Sequence, residues 1–179
     1  MSSNERIKII VKRLKIIYKN MSIEEILRER GIVVCPIYGC NISKGAYKMY
    51  DDIQYIFINT DLSPEERLET LTHELGHSIL HPDVDTYELK SCNCTYFLNK
   101  YENQADLFAA EFLLHDNIIE NICGCFCEVG DGKSIYDIAN DYKVTAELVL
   151  IKLSNLDKSK LNKFDLTLDC ISVLNTLNC

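Results

Sequence analysis

His73, Glu74 and His77 are the residues whose types and spacing could do chemistry, standing in His73-Glu74-Leu75-Gly76-His77, the pattern H-E-x-x-H. Imidazoles four residues apart on a helix lie one turn above each other on the same face. Both neutral rings can then reach one Zn²⁺, and the glutamate beside the first histidine can meet a water activated by that ion. Such a water becomes a nucleophile near neutral pH once the metal lowers its pKa towards ~7. At this chain's own His and Glu frequencies the pattern arises by chance with a probability on the order of one per cent. Two of the four histidines sit in it. The plainer alternative is a pair of surface histidines on a helix.

The flanking residues predict the element that must position this pattern. In Asp61-Leu62-Ser63-Pro64-Glu65-Glu66, Ser63 fits an N-cap, Pro64 the first helical position, and Glu66 the reciprocal partner of a capping box. The helix then begins about ten residues before His73 and ends near His81-Pro82-Asp83, where proline stops it. Leu68, Leu71, Leu75 and Ile79 form one apolar stripe. His73 and His77 project about 140–180° away from it on the helical wheel. A helix buried on its leucines would hold both imidazoles towards a cleft.

A catalytic zinc takes three protein ligands and keeps one position open, so a third ligand is required. The candidate is Glu102, in Tyr101-Glu102-Asn103-Gln104-Ala105-Asp106-Leu107-Phe108-Ala109-Ala110-Glu111-Phe112-Leu113-Leu114. On a helix, Glu102, Ala105, Asp106 and Ala109 share a face. The two alanines would permit close approach to another helix, with Gly76 as the matching small surface. Asp106 could accept the free ring N–H of His73 or His77 and fix its tautomer. Glu111 lies about 180° from Glu102 on the same wheel and cannot face the same ion. The plain alternative for Glu102 is a solvated helix charge. His81 follows His77 by four residues, whereas the long zinc motif places its third histidine six residues on, so His81 is a cleft-lining candidate before it is a ligand. His115 is expected to cap the helix end. For the oxyanion of a hydrolytic reaction, Tyr96, Tyr101 and His81 are the weak candidates.

The segments Thr72–His81 and Tyr101–Leu114 resemble the ImmA/IrrE metallopeptidases, in which H-E-x-x-H is followed by E-x-x-A-[ND]-x-F-A-x-x-L-L in a gluzincin arrangement. The resemblance spans roughly residues 20–155. It implies His73, His77 and Glu102 as metal ligands and Glu74 as general base. It also implies the substrate, a DNA-binding transcriptional repressor of phage or mobile-element type, cut at a specific site. His115-Asp116 departs from the apolar-Pro ending of many relatives, which touches the helix end and not the chemistry. The fold expected is α+β: a mainly helical zincin-like domain with a small antiparallel sheet before the H-E-x-x-H helix. The cofactor expected is Zn²⁺, with another divalent ion such as Mn²⁺ also fitting the donors.

Composition agrees with one soluble domain plus appendages: 179 residues with 47% apolar content can bury a real core. There is no 18-residue apolar run, and neither a membrane span nor a secretory signal is expected. Net charge is −8, unevenly spread. Residues 1–20 carry six Lys/Arg and one acidic residue, leaving 13 basic against 26 acidic in the remainder. An acidic body argues against direct nucleic-acid binding and suits a basic protein partner. The first 20 residues predict an amphipathic basic helix with Ile7, Ile10, Val11, Leu14, Ile17 and Tyr18 on its apolar side. It either packs on the acidic domain or meets a membrane or acidic partner. A second helix is expected from Ser22, capped with Glu25 and stopped at Gly31.

Ile32–Tyr38, Ala46–Tyr50 and Ile53–Asn59 read as strands, with a turn at Asp51-Asp52. An exposed edge beside the cleft could pair with an extended peptide. Residues 134–153 predict a helix-turn-helix-like pair whose second helix has one lysine against one glutamate, poor equipment for groove reading. The expected organisation is therefore an N-terminal helix over 1–20, a metallopeptidase domain over 21–155, and a linker and short tail over 156–179. Nine cysteines, including Cys92-Asn93-Cys94 and Cys123-Gly124-Cys125-Phe126-Cys127, are odd in number and awkwardly spaced for disulfides. Reduced thiols in a bacterial cytosol are expected, with a second metal or a redox role as the alternative. Three functions stay open at this point: a metal-dependent endopeptidase, a metal-binding regulator that binds the repressor without cutting it, and a non-peptidase hydrolase that turns over small amides without a protein partner.

Overall fold

The computed structural model describes residues 1–39, 44–85, 95–114 and 135–156. The chain divides into two compact units, Met1–Leu113 and Leu114–Cys179. In the first, α1 (Ser3–Ile17) and α2 (Ile23–Glu29) precede β1 (Val33–Ile37), β2 (Gly45–Tyr50) and β3 (Ile53–Asn59). Then come α3 (Pro64–Leu80) and α4 (Thr95–Leu113). The second unit contains α5 (Ile135–Tyr142) and α6 (Ala146–Ser154), which pack on each other. The class is α+β and mainly helical, with the three-stranded sheet just before α3, as the sequence predicts.

Local chemistry sets the helix starts. Ser63 accepts the Glu66 N–H while the Glu66 carboxylate accepts the Ser63 N–H, and Pro64 opens the helix. Ser22 and Glu25 close the same reciprocal box on α2. Ser2 and Glu5 close a third on α1, which the sequence reading missed.

The sheet departs from expectation in one pairing. Its order is β1-β3-β2: β2 and β3 form an antiparallel hairpin, but β1 runs parallel to β3, so the sheet is mixed and not antiparallel. The hairpin closes through Asp51 and Asp52, both at positive φ (51° and 61°), the geometry of a two-residue turn that matches strand twist. β3, the strand richest in β-branched and aromatic residues, takes the centre. Pro36 lacks an N–H to donate, which suits β1 to an edge. Alternation along β3 sends Ile56 and Ile58 into the core with Tyr47 of β2, while Tyr55 and Phe57 stack on the opposite face.

The core of this unit draws on every element. Ile7, Val11 and Leu14 come from α1, Ile23, Ile26 and Leu27 from α2, Tyr47, Ile56 and Ile58 from the sheet, Leu71 and Leu75 from α3, and Leu107 and Phe108 from α4. Leu68 and Ile79 complete the predicted α3 stripe at its margins. The basic helix α1 packs on α4, where Lys8 Nζ lies 3.6 Å from the Glu111 carboxylate and Lys15 Nζ donates to the Glu111 carbonyl at 2.8 Å. Glu111 thus faces away from Glu102, as the wheel requires. No helix among the described residues is long and apolar enough to cross a membrane.

In the second unit the predicted helix pair is present, with Thr145 capping α6. Lys152, its one lysine, is buried at 1% exposure and so does not face a groove. Cys92, Cys94, Cys123, Cys125, Cys127, His115 and the 157–179 tail lie outside the described residues.

Candidate metal centre

Helix α3 is buried on two sides: its leucines rest on the core, and its histidine face lies under α4. His77 is therefore only 1% exposed, while the His73 and Glu102 side chains keep 18% and 29% exposure. Close packing of these two helices depends on Gly76. A Cβ there would come within 3.1–3.2 Å of three Phe108 side-chain carbons. The nearest side chain to the small surface of Gly76 is Phe108, and the two alanines on the same helix, Ala105 and Ala109, are fully buried.

From α3 and α4 three side chains converge. His73 Nε2 and His77 Nε2 are 3.0 Å apart, and the Glu102 carboxylate lies 3.4 Å from the first and 3.8 Å from the second. One donor atom from each of the three falls within 4.8 Å of the others. Two imidazoles and a carboxylate suit zinc and other borderline divalent ions. These residues fit a metal. Both rings present Nε2 to the same point, and both have the opposite nitrogen engaged. His73 Nδ1–H donates to Asp106 Oδ1 at 2.8 Å, from one turn beyond Glu102 on α4. His77 Nδ1 lies 2.9 Å from His81 Nε2.

Without a metal this constellation holds a proton. Burial disfavours the His73 imidazolium, but its hydrogen bonds to Asp106 and Glu102 and the charge of Glu74 outweigh that, raising its pKa to about 10. Burial depresses His81 to about 4, against the pull of Glu102.

Glu74 points from the same turn of α3 and is 5% exposed. The start of edge strand β2 backs onto it: a Cβ on Gly45 would stand 3.1 Å from Glu74 Oε1 and 2.5 Å from Thr70 Cγ2. Sequence reading missed Gly45, and a lone glycine before a strand carries no signal for it. Among the tyrosines, Tyr101 is half-buried with its ring 4.8 Å from that of His81. Tyr96 is 78% exposed and sits ~9 Å along the α4 axis from Glu102.

Comparison with known proteins matches this framework. Residues 28–154 match the IrrE N-terminal-like domain. An uncharacterized immunity region protein 2 of Bacillus phage phi105 is 34% identical over 158 residues, covering 88% of this chain and 93% of that protein. Metallopeptidase ImmA of Bacillus subtilis (strain 168) is 35% identical over 68 residues, 38% of each chain. With α3 and α4 both inside the matched region, the chain belongs to the ImmA/IrrE family of metallopeptidases.

Proposed function

We propose that the chain is a zinc endopeptidase that hydrolyses one specific peptide bond in a DNA-binding repressor of phage or mobile-element type. The observation that carries this reading is the convergence of His73, His77 and Glu102, with Glu74 buried on the same helix turn. His73, His77 and Glu102 would hold the ion, and Asp106 would orient His73. When bound, Zn²⁺ supplies a Lewis acid that polarises the scissile carbonyl and acidifies water. Glu74 then acts as general base: its carboxylate takes a proton from water as the oxygen attacks the carbonyl carbon. It returns that proton to the amide nitrogen as the C–N bond breaks. The α4 helix keeps His77 away from bulk water, which strengthens each of these electrostatic contacts.

Among the described residues, β2 ends the sheet on one side. β2 is an outer strand whose first residue touches the Glu74 environment, so an extended segment pairing along it would run past the base. The repressor assignment draws on the phage immunity-region relative and on the acidic body of the chain, which suits a basic partner working in the cytoplasm.

Glu74→Gln tests this reading against a regulator that binds without cutting. The amide keeps the size of the side chain but accepts no proton. Cleavage of a purified phage-type repressor, followed by gel, is expected to fall by at least roughly 100-fold, the usual worth of a general base. Zn²⁺ uptake and repressor binding should be retained. Undiminished repressor inactivation by the variant would mean that cutting is not the function.

A further inference from the structure

We propose that His81 is a positioning residue for His77, accepting the His77 Nδ1–H at its own Nε2 and so turning the His77 Nε2 lone pair towards the metal. This rests on the metal-centre reading above and adds a residue to it. The hydrogen-bond directions follow from the chain of contacts. His73 Nδ1 is committed to Asp106, and the Nε2 atoms of His73 and His77 face each other at 3.0 Å. His77 Nδ1 is left to face His81 Nε2 at 2.9 Å, in a pair where both rings are buried. With the Nε2 of His77 kept as an acceptor, its proton belongs on Nδ1, and His81 is the group placed to receive it.

The three donor atoms that converge come from His73, His77 and Glu102, and His81 meets this group through the His77 ring. Only Nδ1 of the His77 ring meets His81, the nitrogen on the far side from the point where Nε2 meets His73 and Glu102. The Nε2 of His81 is spent on that contact.

His81 is itself held from three sides. As the C-cap of α3 its N–H donates to the His77 carbonyl at 3.1 Å, and its carbonyl accepts from Val84 at 3.1 Å. The next residue is tied to the sheet, where the Tyr47 hydroxyl donates to the Pro82 carbonyl at 2.9 Å. Gln54 donates to that hydroxyl and to the Ser78 carbonyl, stitching the last turn of α3 to β3. From α4, the Tyr101 ring leans on the His81 ring with centroids 4.8 Å apart. The two histidine ligands are thus oriented by unlike groups: an anion for His73 and a neutral imidazole for His77. A neutral acceptor fixes the tautomer without adding a negative charge to a site that already holds Glu74, Glu102 and Asp106.

The test uses the full-length chain as wild type, His81→Phe and His81→Gln. Zn²⁺ affinity is measured by competition with a chromophoric chelator, alongside the melting temperature of the metal-free protein. Phenylalanine keeps a buried ring but accepts no hydrogen bond, whereas glutamine retains an acceptor oxygen. The Phe variant should bind Zn²⁺ roughly 10–100-fold more weakly with little change in metal-free melting, and the Gln variant should recover most of the loss. Wild-type affinity in the Phe variant overturns the proposal. Equal losses in both variants, tracking a lower metal-free melting temperature, also overturn it by making His81 merely structural. A wild-type chain that takes up no Zn²⁺ overturns the metal-centre reading itself.

Discussion

At neutral pH the metal-free chain keeps a proton on His73, because two hydrogen-bonded carboxylates and the nearby Glu74 more than offset burial. Its pKa is raised from 6.5 to about 10, so the protonated form dominates at every pH below that value. An incoming divalent ion needs the Nε2 lone pair and must displace this proton. Zn²⁺ uptake at pH 7 is therefore expected to release close to one proton from His73. Affinity should climb roughly tenfold per pH unit until pH approaches the His73 pKa. Calorimetric titration in buffers of different ionisation enthalpy measures that proton; a buffer-independent enthalpy would contradict it. At this scale the sequence was most legible where the chemistry is local. H-E-x-x-H needs only a helix to define its geometry, and Glu102 with Asp106 needs only a second helix laid across it. The role of His81 was hidden because it depends on the ring's direction after the helix ends, which is set by Tyr47, Pro82 and Tyr101 from elsewhere in the chain.

Two helices, α3 and α4, carry the candidate site, and Gly76 sets how closely they approach. Gly76→Ala must push Phe108, a fully buried ring, out of its place. A destabilisation of about 1–3 kcal/mol is expected, the usual cost of overpacking a core, even though alanine is the better helix former. Chemical denaturation measures it, and a stability gain would show that the helices can separate freely. Capping boxes made α2 and α3 readable to the residue, since Ser22 with Glu25 and Ser63 with Glu66 act within one turn. The sheet order was not readable in the same way. Pairing β1 in parallel with β3 skips over β2 and joins residues about 22 positions apart, such as Val33 and Tyr55, which no local pattern encodes. Pro36 was the available clue that β1 belongs at an edge.

For the molecule as a whole, the family match begins at residue 28, yet the core of the first unit begins earlier. Ile7, Val11 and Leu14 sit in the same cluster as Leu75 and Phe108 on the site helices, and Lys8 and Lys15 fasten the basic segment to Glu111. The N-terminal helix is thus part of what supports α4. Ile7→Ala is expected to lower unfolding stability by about 2–5 kcal/mol, as for other buried isoleucines. A change within 0.5 kcal/mol or so would mean that α1 is only loosely attached. Charge asymmetry between this helix and the acidic remainder was legible from composition, and so was its amphipathic pattern; the surface that it covers was not, because α4 lies some 90 residues away. Hydrolysis of a repressor is the central claim. Its most direct measurement is the intact mass of the repressor's products after incubation with the zinc-loaded chain in ¹⁸O-enriched water. The account predicts two fragments whose masses sum to the repressor plus one water, with the heavy oxygen in the new carboxyl terminus and no fragments once a chelator is added. An intact repressor with wild-type, zinc-loaded protein, or fragments that persist unchanged in chelator, would contradict it.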